Sequence, residues 1–218
     1  MKKHLGTSLI ASLALLVVGL CSTSASAQST IYLEDFTTNQ TALFDFGAFT
    51  DNTTFDPTGL ITNIPASADS FGGIGVAPVV PVNLNGLTSI ELTAQVDAGN
   101  ASDIVVSIRE GIAGAAGDGE FFSFTVPATS FTPGAGFQTI SIDPTTGFNG
   151  DFDNPGGDMV LNGVLSNTGI QTPFGGTDAQ NFTVQSIEFI GGPAVPEPGS
   201  LAVLMSLGSI IALRRRRI

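Results

Sequence analysis

The chain has 218 residues, 19 acidic and 7 basic side chains, a formal net charge of −12, one Cys, one His and no Trp. Lys2 and Lys3 open it and Arg214 to Arg217 close it, so residues 28–194 set Arg109 alone against 18 carboxylates, a net −17 that repels phosphate backbones and excludes nucleic acid as a partner. Cys21 and His4 both precede residue 28, which removes disulfides, thiol catalysis, Cys/His zinc sites and Ser-His-Asp chemistry from everything after it.

Residues 1–27 read as a secretory signal peptide. Lys2-Lys3-His4 is the basic start, Leu9 to Leu20 the apolar run, and Ala25-Ser26-Ala27 the small-residue cleavage site before Gln28. Cys21 invites a lipoprotein reading, but Leu20 is bulky where a lipoprotein has a small residue. The run is short for a retained anchor. Cleavage after Ala27 is the expectation, with export by the Sec route.

From Ile31 to Phe189 the apolar pattern has period two, broken by turn residues. Strands are expected at 31–36, 87–96, 103–110, 120–126, 137–142, 159–165 and 182–190. The clearest is 87–96, where Ile90, Leu92, Ala94 and Val96 alternate with Ser89, Glu91, Thr93 and Gln95. The spacing of Val184, Ile187 and Phe189 implies a bulge near Gln185-Ser186. Residues 37–86 resist assignment, with Phe44, Phe46, Phe49 and Phe55 scattered among Thr, Asp and Gly. Asp56-Pro57-Thr58-Gly59 reads as a turn, and 72–82, broken by Pro78 and Pro81, as an edge strand or loop. Asn85-Gly86, Asp118-Gly119, Asn149-Gly150 and Asn162-Gly163 are expected to turn with positive φ. No stretch of ten or more residues in the ectodomain has helical periodicity. The fold class is therefore all-β, a single β-sandwich of jelly-roll type over residues 28–190. In strand rhythm, residues 87–190 resemble the galactose-binding-like, carbohydrate-binding sandwiches. Residues 191–194, Gly-Gly-Pro-Ala, are expected to be a linker.

The tail, 195–218, has three parts. Val195-Pro196-Glu197-Pro198 is extended, because each proline fixes φ and lacks a backbone donor. The uncharged apolar run 201–213 follows, expected to be a transmembrane helix, and then Arg214, Arg215, Arg216 and Arg217, which stay cytoplasmic. Thirteen residues rise only about 20 Å, short of the roughly 30 Å hydrocarbon core, so Arg stems and Gly199-Ser200 must make up part of the span. Cations at both chain ends place the middle outside the cytoplasm. The order of the three parts resembles the PEP-CTERM sorting signal of bacteria that secrete exopolysaccharide. That resemblance implies an exosortase-type membrane transpeptidase as a partner, transient anchoring in the inner membrane, and delivery to the cell surface or extracellular matrix. Glu197 and its flanking prolines would be the element recognised.

Candidate sites in the ectodomain are few. Asp151, Asp153, Asn154 and Asp158 place hard oxygens on a glycine-rich loop, the donor set of a structural Ca²⁺. Pro155 and Asn162 depart from an EF-hand, and a solvated acidic loop is the plainer account. Glu110, Asp118 and Glu120 are the nearest candidates for a carboxylate pair acting on glycosides. An acid-rich domain yields such clusters by chance, so no catalytic residue is assigned and the chain is read as structural or adhesive. The alternative is a module that binds carbohydrate through exposed rings; Phe148, Phe152 and Phe174 are the loop candidates. Arg109 is expected to pair with Glu91, with a ligand contact as the alternative, and Asn39, Asn52, Asn100 and Asn181 fit glycosylation sequons. A Ca²⁺ in the 151–158 loop would make the thermal midpoint fall on adding chelator. An unchanged midpoint removes the metal.

Overall fold

The computed structural model describes residues 28–67, 71–111, 120–150, 160–173 and 175–193. The leader and the tail, including Ala25, Ala27, Val195 to Pro198 and Arg214 to Arg217, lie outside these. Among the described residues no helix is long and apolar enough to cross a membrane.

The strands are β1 (Gln28–Asp35), β2 (Phe44–Gly47), β3 (Thr53–Asp56), β4 (Gly59–Ile64), β5 (Gly72–Val76), β6 (Val82–Asn83), β7 (Leu87–Val96), β8 (Ile104–Glu110), β9 (Phe121–Val126), β10 (Gln138–Ile142), β11 (Phe148–Gly150), β12 (Val164–Gln171) and β13 (Gln180–Pro193). A one-turn helix, α1 (Phe49–Asn52), follows β2. Among the described residues the strands form two sheets. One runs β10-β7-β13-β4-β3, with β1 also on β13; the other runs β11-β9-β8-β12-β5-β2, with β6 also on β12.

The alternation along β7 is the physical basis of the sandwich. Ile90, Leu92, Ala94 and Val96 are buried in one core with Ile104, Val106 and Ile108 of β8, Phe122 and Phe124 of β9, and Phe182, Val184, Ile187 and Phe189 of β13. The polar partners on β7 face outward, half-buried. Burying a side chain of this size contributes about 1.5–3 kcal/mol, and a layer built from both sheets leaves neither inner face wet.

Several expectations from the sequence hold. The strand at 87–96 is β7, those at 103–110, 120–126 and 137–142 differ from β8 to β10 by one residue each at their starts, and the first begins three residues earlier, at Gln28. The register of β13 shifts between Val184 and Ser186, where the bulge was placed. Asp56-Pro57-Thr58-Gly59 closes the β3–β4 hairpin, with the Thr58 N–H donating to Asp56 Oδ1 at 2.8 Å.

Others are corrected. The segment 72–82 divides: residues 72–76 are β5, an interior strand between β12 and β2, while residues 77–81, which hold Pro78 and Pro81, are the expected loop, leading to β6. The strand expected at 159–165 is β12, at 164–171; its middle, Ser166-Asn167-Thr168-Gly169, is polar or small yet buried, which hides the apolar period. Asn149-Gly150 lies inside β11, while Gly163 lacks positive φ and gives its N–H to Glu110 Oε1 at 2.6 Å. Asn85-Gly86 does turn, with Gly86 at φ 83°; Asp118-Gly119 lies outside the described residues. Residues 191–193 are strand rather than linker, since Gly191 pairs with Leu87 and the Gly192 N–H donates to Gly86 O at 2.9 Å.

Among the described residues, Thr62 is a core position that violates polar satisfaction. The hydroxyl of Thr62, fully buried on β4 opposite Phe182, has no hydrogen-bond partner. A buried orphan hydroxyl costs about 1–3 kcal/mol, so Thr62→Val is expected to stabilise by about 1 kcal/mol, read as a higher urea midpoint at constant m-value. A lower midpoint would show that the hydroxyl is satisfied after all.

Candidate functional site

The outer faces of the two sheets differ in chemistry. That of the β7 sheet carries hydroxyls and carboxylates: Ser89 bonds Ser141, Thr93 bonds Thr139, and Glu91 stands directly opposite Glu188. Like charges opposed across strands destabilise, and the Thr30 hydroxyl relieves Glu188 by donating to its Oε1. A depression of about 200 Å³ beside the β13 bulge is lined by Leu33, Asp35, Thr37, Gln185 and Ser186. That is below the usual size of a ligand pocket, about 300–1,000 Å³.

The outer face of the β8 sheet is built from the opposite register. Ile74 and Val76 of β5 point into the core, so Gly73 and Gly75 face out. Phe44 of β2 is paired with Gly75 and Phe46 with Gly73. A Cβ at Gly75 would lie 2.5 Å from Phe44 Cζ, and one at Gly73 2.9 Å from Phe46 Cε1. The missing side chains therefore let both rings lie down on the sheet backbone. Glycine inside a strand costs roughly 0.5–1 kcal/mol and marks a close approach. The result is a half-buried pair of rings, 6.4 Å between centroids and 25° from parallel, with Phe71 set against Phe46 at 5.7 Å and 61°. Neighbouring strands continue the face with Gln171 and Asn167 of β12, Ser107 and Arg109 of β8, and Ser123 and Phe121 of β9. Arg109 lies over the Phe121 ring at 5.3 Å.

The residues singled out from the sequence fare unevenly. Asp151, Asp153, Asn154 and Asp158 lie outside the described residues, as do Asp118, Phe152 and Phe174. Among the described residues no group of three or more His, Cys, Asp or Glu is arranged to hold a metal. Glu110 and Glu120 do come together, since the Glu110 N–H donates to Glu120 O at 2.9 Å and both side chains are buried. Glu110 takes the Gly163 N–H, which ties the end of β8 to the approach of β12. Phe148 belongs to β11 rather than a loop. Arg109 and Glu91 sit in opposite sheets, so the expected ion pair is replaced by the contact with Phe121. The sequon amides of Asn39, Asn52 and Asn100 are engaged within the fold, on Glu34, Ala48 O and Ser102 O.

Sequence reasoning missed the Phe44/Phe46 pair. A signal was present: Phe-Asp-Phe at 44–46 and Gly-Ile-Gly at 73–75 share period two. It missed a buried acid too. Glu34 on β1 is about 1% exposed, accepting from the Tyr32 hydroxyl at Oε2 and from Asn39 Nδ2 at Oε1 (2.7 Å). Burial pushes its carboxyl above the usual range against the lowering effect of those two bonds, and neighbouring Asp35 pushes the same way as burial. Burial, and then the bond to Glu34, hold the Tyr32 phenol above its ordinary value.

No family model matches the chain, and no curated protein matches it in sequence. Similar solved structures include the family 11 carbohydrate-binding module of the cellulosomal cellulase Lic26A-Cel5E of Clostridium thermocellum, 17% identical, covering 80% of this chain and 100% of that one at a TM-score of 0.42. A solution structure of CtCBM11 is 21% identical, covering 79% and 99% at 0.48. The module CBM6cm-2 of Cellvibrio mixtus lichenase 5A, solved with cellotriose, is 17% identical, covering 75% and 98% at 0.38. The likeness is one of β-sandwich fold.

A folded carboxyl raised above its unfolded value contributes stability that is full below the unfolded pKa and lost as pH rises through the folded one. Glu34→Gln should therefore lose less thermal midpoint than the native protein between about pH 4 and about pH 8. Equal losses in the two would show that Glu34 titrates normally.

Proposed function

We propose that this protein is exported, anchored transiently in the inner membrane by residues 201–213, and delivered to the cell surface or matrix, where its sandwich binds polysaccharide without catalysis. The observation that carries the binding reading is the pair of rings, Phe44 and Phe46, laid flat on Gly73 and Gly75. Sugars present flat C–H faces and a rim of hydroxyls, so their sites join planar aromatic surface to amides and hydroxyls. The outer face of the β8 sheet has both kinds of group, whereas along β7 the outward positions from Ser89 to Gln95 are all of the polar kind.

A jelly-roll, galactose-binding-like assignment is supported by strand order. The row β4-β13-β7-β10 faces β5-β12-β8-β9, and from β4 onward the chain steps from one sheet to the other between β4 and β5, β6 and β7, β7 and β8, β9 and β10, β10 and β11, and β12 and β13. The sorting part rests on residues 195–218: an exosortase-type transpeptidase would read Val195 to Pro198 while Arg214 to Arg217 hold the orientation. A structural Ca²⁺ at Asp151, Asp153, Asn154 and Asp158 fits the same account and is not required by it.

The protein should show saturable binding on a polysaccharide array. Phe44→Ala together with Phe46→Ala should weaken it by at least about tenfold, roughly 1.4 kcal/mol, with the circular-dichroism melt still cooperative. Binding untouched by the double variant would move the site elsewhere. For the sorting part, mass spectrometry of protein from its native host should find a mature chain starting at Gln28 and lacking Arg214 to Arg217. An intact chain from Met1 to Ile218 in the cytosol would end that reading.

A further inference from the structure

The electrostatic surroundings of the ring pair select among glycans. We infer that this site takes an uncharged polysaccharide and rejects polyuronates and other acidic glycans; this rests on the reading of the face as a glycan site. Asp45 stands between Phe44 and Phe46 in the chain, solvent-exposed, but it is paired with core-facing Ile74, so its side chain leaves the other face of β2 from the rings and brings no charge onto the platform. Its Oδ1 receives only a long bond, 3.5 Å, from the Thr50 hydroxyl. Asp51 follows on α1, exposed as well, and α1 packs on β2 and β5 and on β4 of the other sheet, with Phe49 in the core, so it closes the sandwich rather than the ring face. Screening at physiological salt extends only about 8 Å, so only a charge beside the rings would be read there.

No cation stands beside the rings either. Arg109 is the sole basic residue of the span 28–193. It lies on β8, three strands from β2 along the order β8-β12-β5-β2, about 14 Å at the usual strand spacing. Its guanidinium already rests on Phe121. A uronate seated on Phe44 and Phe46 would thus meet a body of net −17 with no charge-assisted donor within a screening length. An uncharged sugar meets the same rings with no such penalty. Attraction of cationic glycans to the acidic body is a different event: it is spread over the whole surface and needs no platform.

The test uses the full ectodomain and three sets of soluble polymers: uncharged glucans and galactomannans, polygalacturonate and alginate, and chitosan oligomers. Each is titrated at about 20 mM and about 500 mM NaCl, where screening differs several-fold. At least one uncharged polymer should bind, with its Kd changing less than about twofold between the two salts and with loss of binding in Phe44→Ala/Phe46→Ala. Asp45→Asn should leave that affinity within about twofold, because no charge is being read. Capture of a polyuronate or of chitosan that the double variant abolishes would overturn the charge assignment while leaving a glycan site in place. No binding by any of the three sets would overturn the site itself.

Discussion

The last strand of the domain, β13, lies in the middle of its sheet. It pairs with β7 along almost its whole length, and on its other side with β4 and then β1. One strand can serve two partners end to end because of the bulge between Val184 and Ser186: β4 is paired up to Val184, and the Gln185 carbonyl beyond it accepts the Phe36 N–H at 3.0 Å. An extra residue turns the backbone and frees a carbonyl, and here the freed carbonyl is where β1 takes over. Phe182, Val184, Ile187 and Phe189 stay core-facing on both sides of the shift. Removing β13 would leave β10-β7 and β4-β3 as separate two-stranded pieces, neither able to bury its apolar face.

With the inner faces committed to one core, function is confined to the outer ones, and these were built from different residues for a steric reason. Along β7 the outward positions from 89 to 95 are Ser, Glu, Thr and Gln, which suit water. On the β8 sheet the outward positions of β5 are glycines, and aromatic rings from β2 occupy the space their side chains would have filled. Ordinary residues at 73 and 75 would keep Phe44 and Phe46 from lying on the backbone, and the platform would not exist. The platform is thus a property of two strands jointly and of neither alone.

This joint character explains what the sequence could and could not reveal. β7 was legible because one face is wet and the other dry, so four apolar residues alternate with four polar ones. β12 was not, because its buried outward positions hold Asn167 and Gly169 and its inward ones include Thr168, paired with Ile108. Burial on both faces erases the period that a reader relies on. The Phe44/Phe46 pair was hidden more deeply: the strand is four residues long, and its partner is some thirty positions away. The bulge in β13 was legible because it displaces an apolar pattern strong enough to show the slip. Glu34 was not, because nothing local marks an acid whose partners are Tyr32, two residues before it, and Asn39, five after.

The placement of the chain ends connects the fold to its cations. Ile31 of β1 lies against Gly191 of β13, while Phe36 bonds Gln185, so the two strands run antiparallel and Gln28 and Pro193 leave from the same end of the sheet. Leu84 and Gly163, joined by a 2.9 Å bond, mark that end on the opposite sheet, where β12 begins. Phe46 lies at the other end of that sheet, beside Gly73 and Gln171. Six of the seven basic residues therefore belong to segments that continue from one end of the sandwich, and the ring pair sits toward the other. A body of net −17 repels an anionic surface from every side, the end that carries Phe44 and Phe46 included.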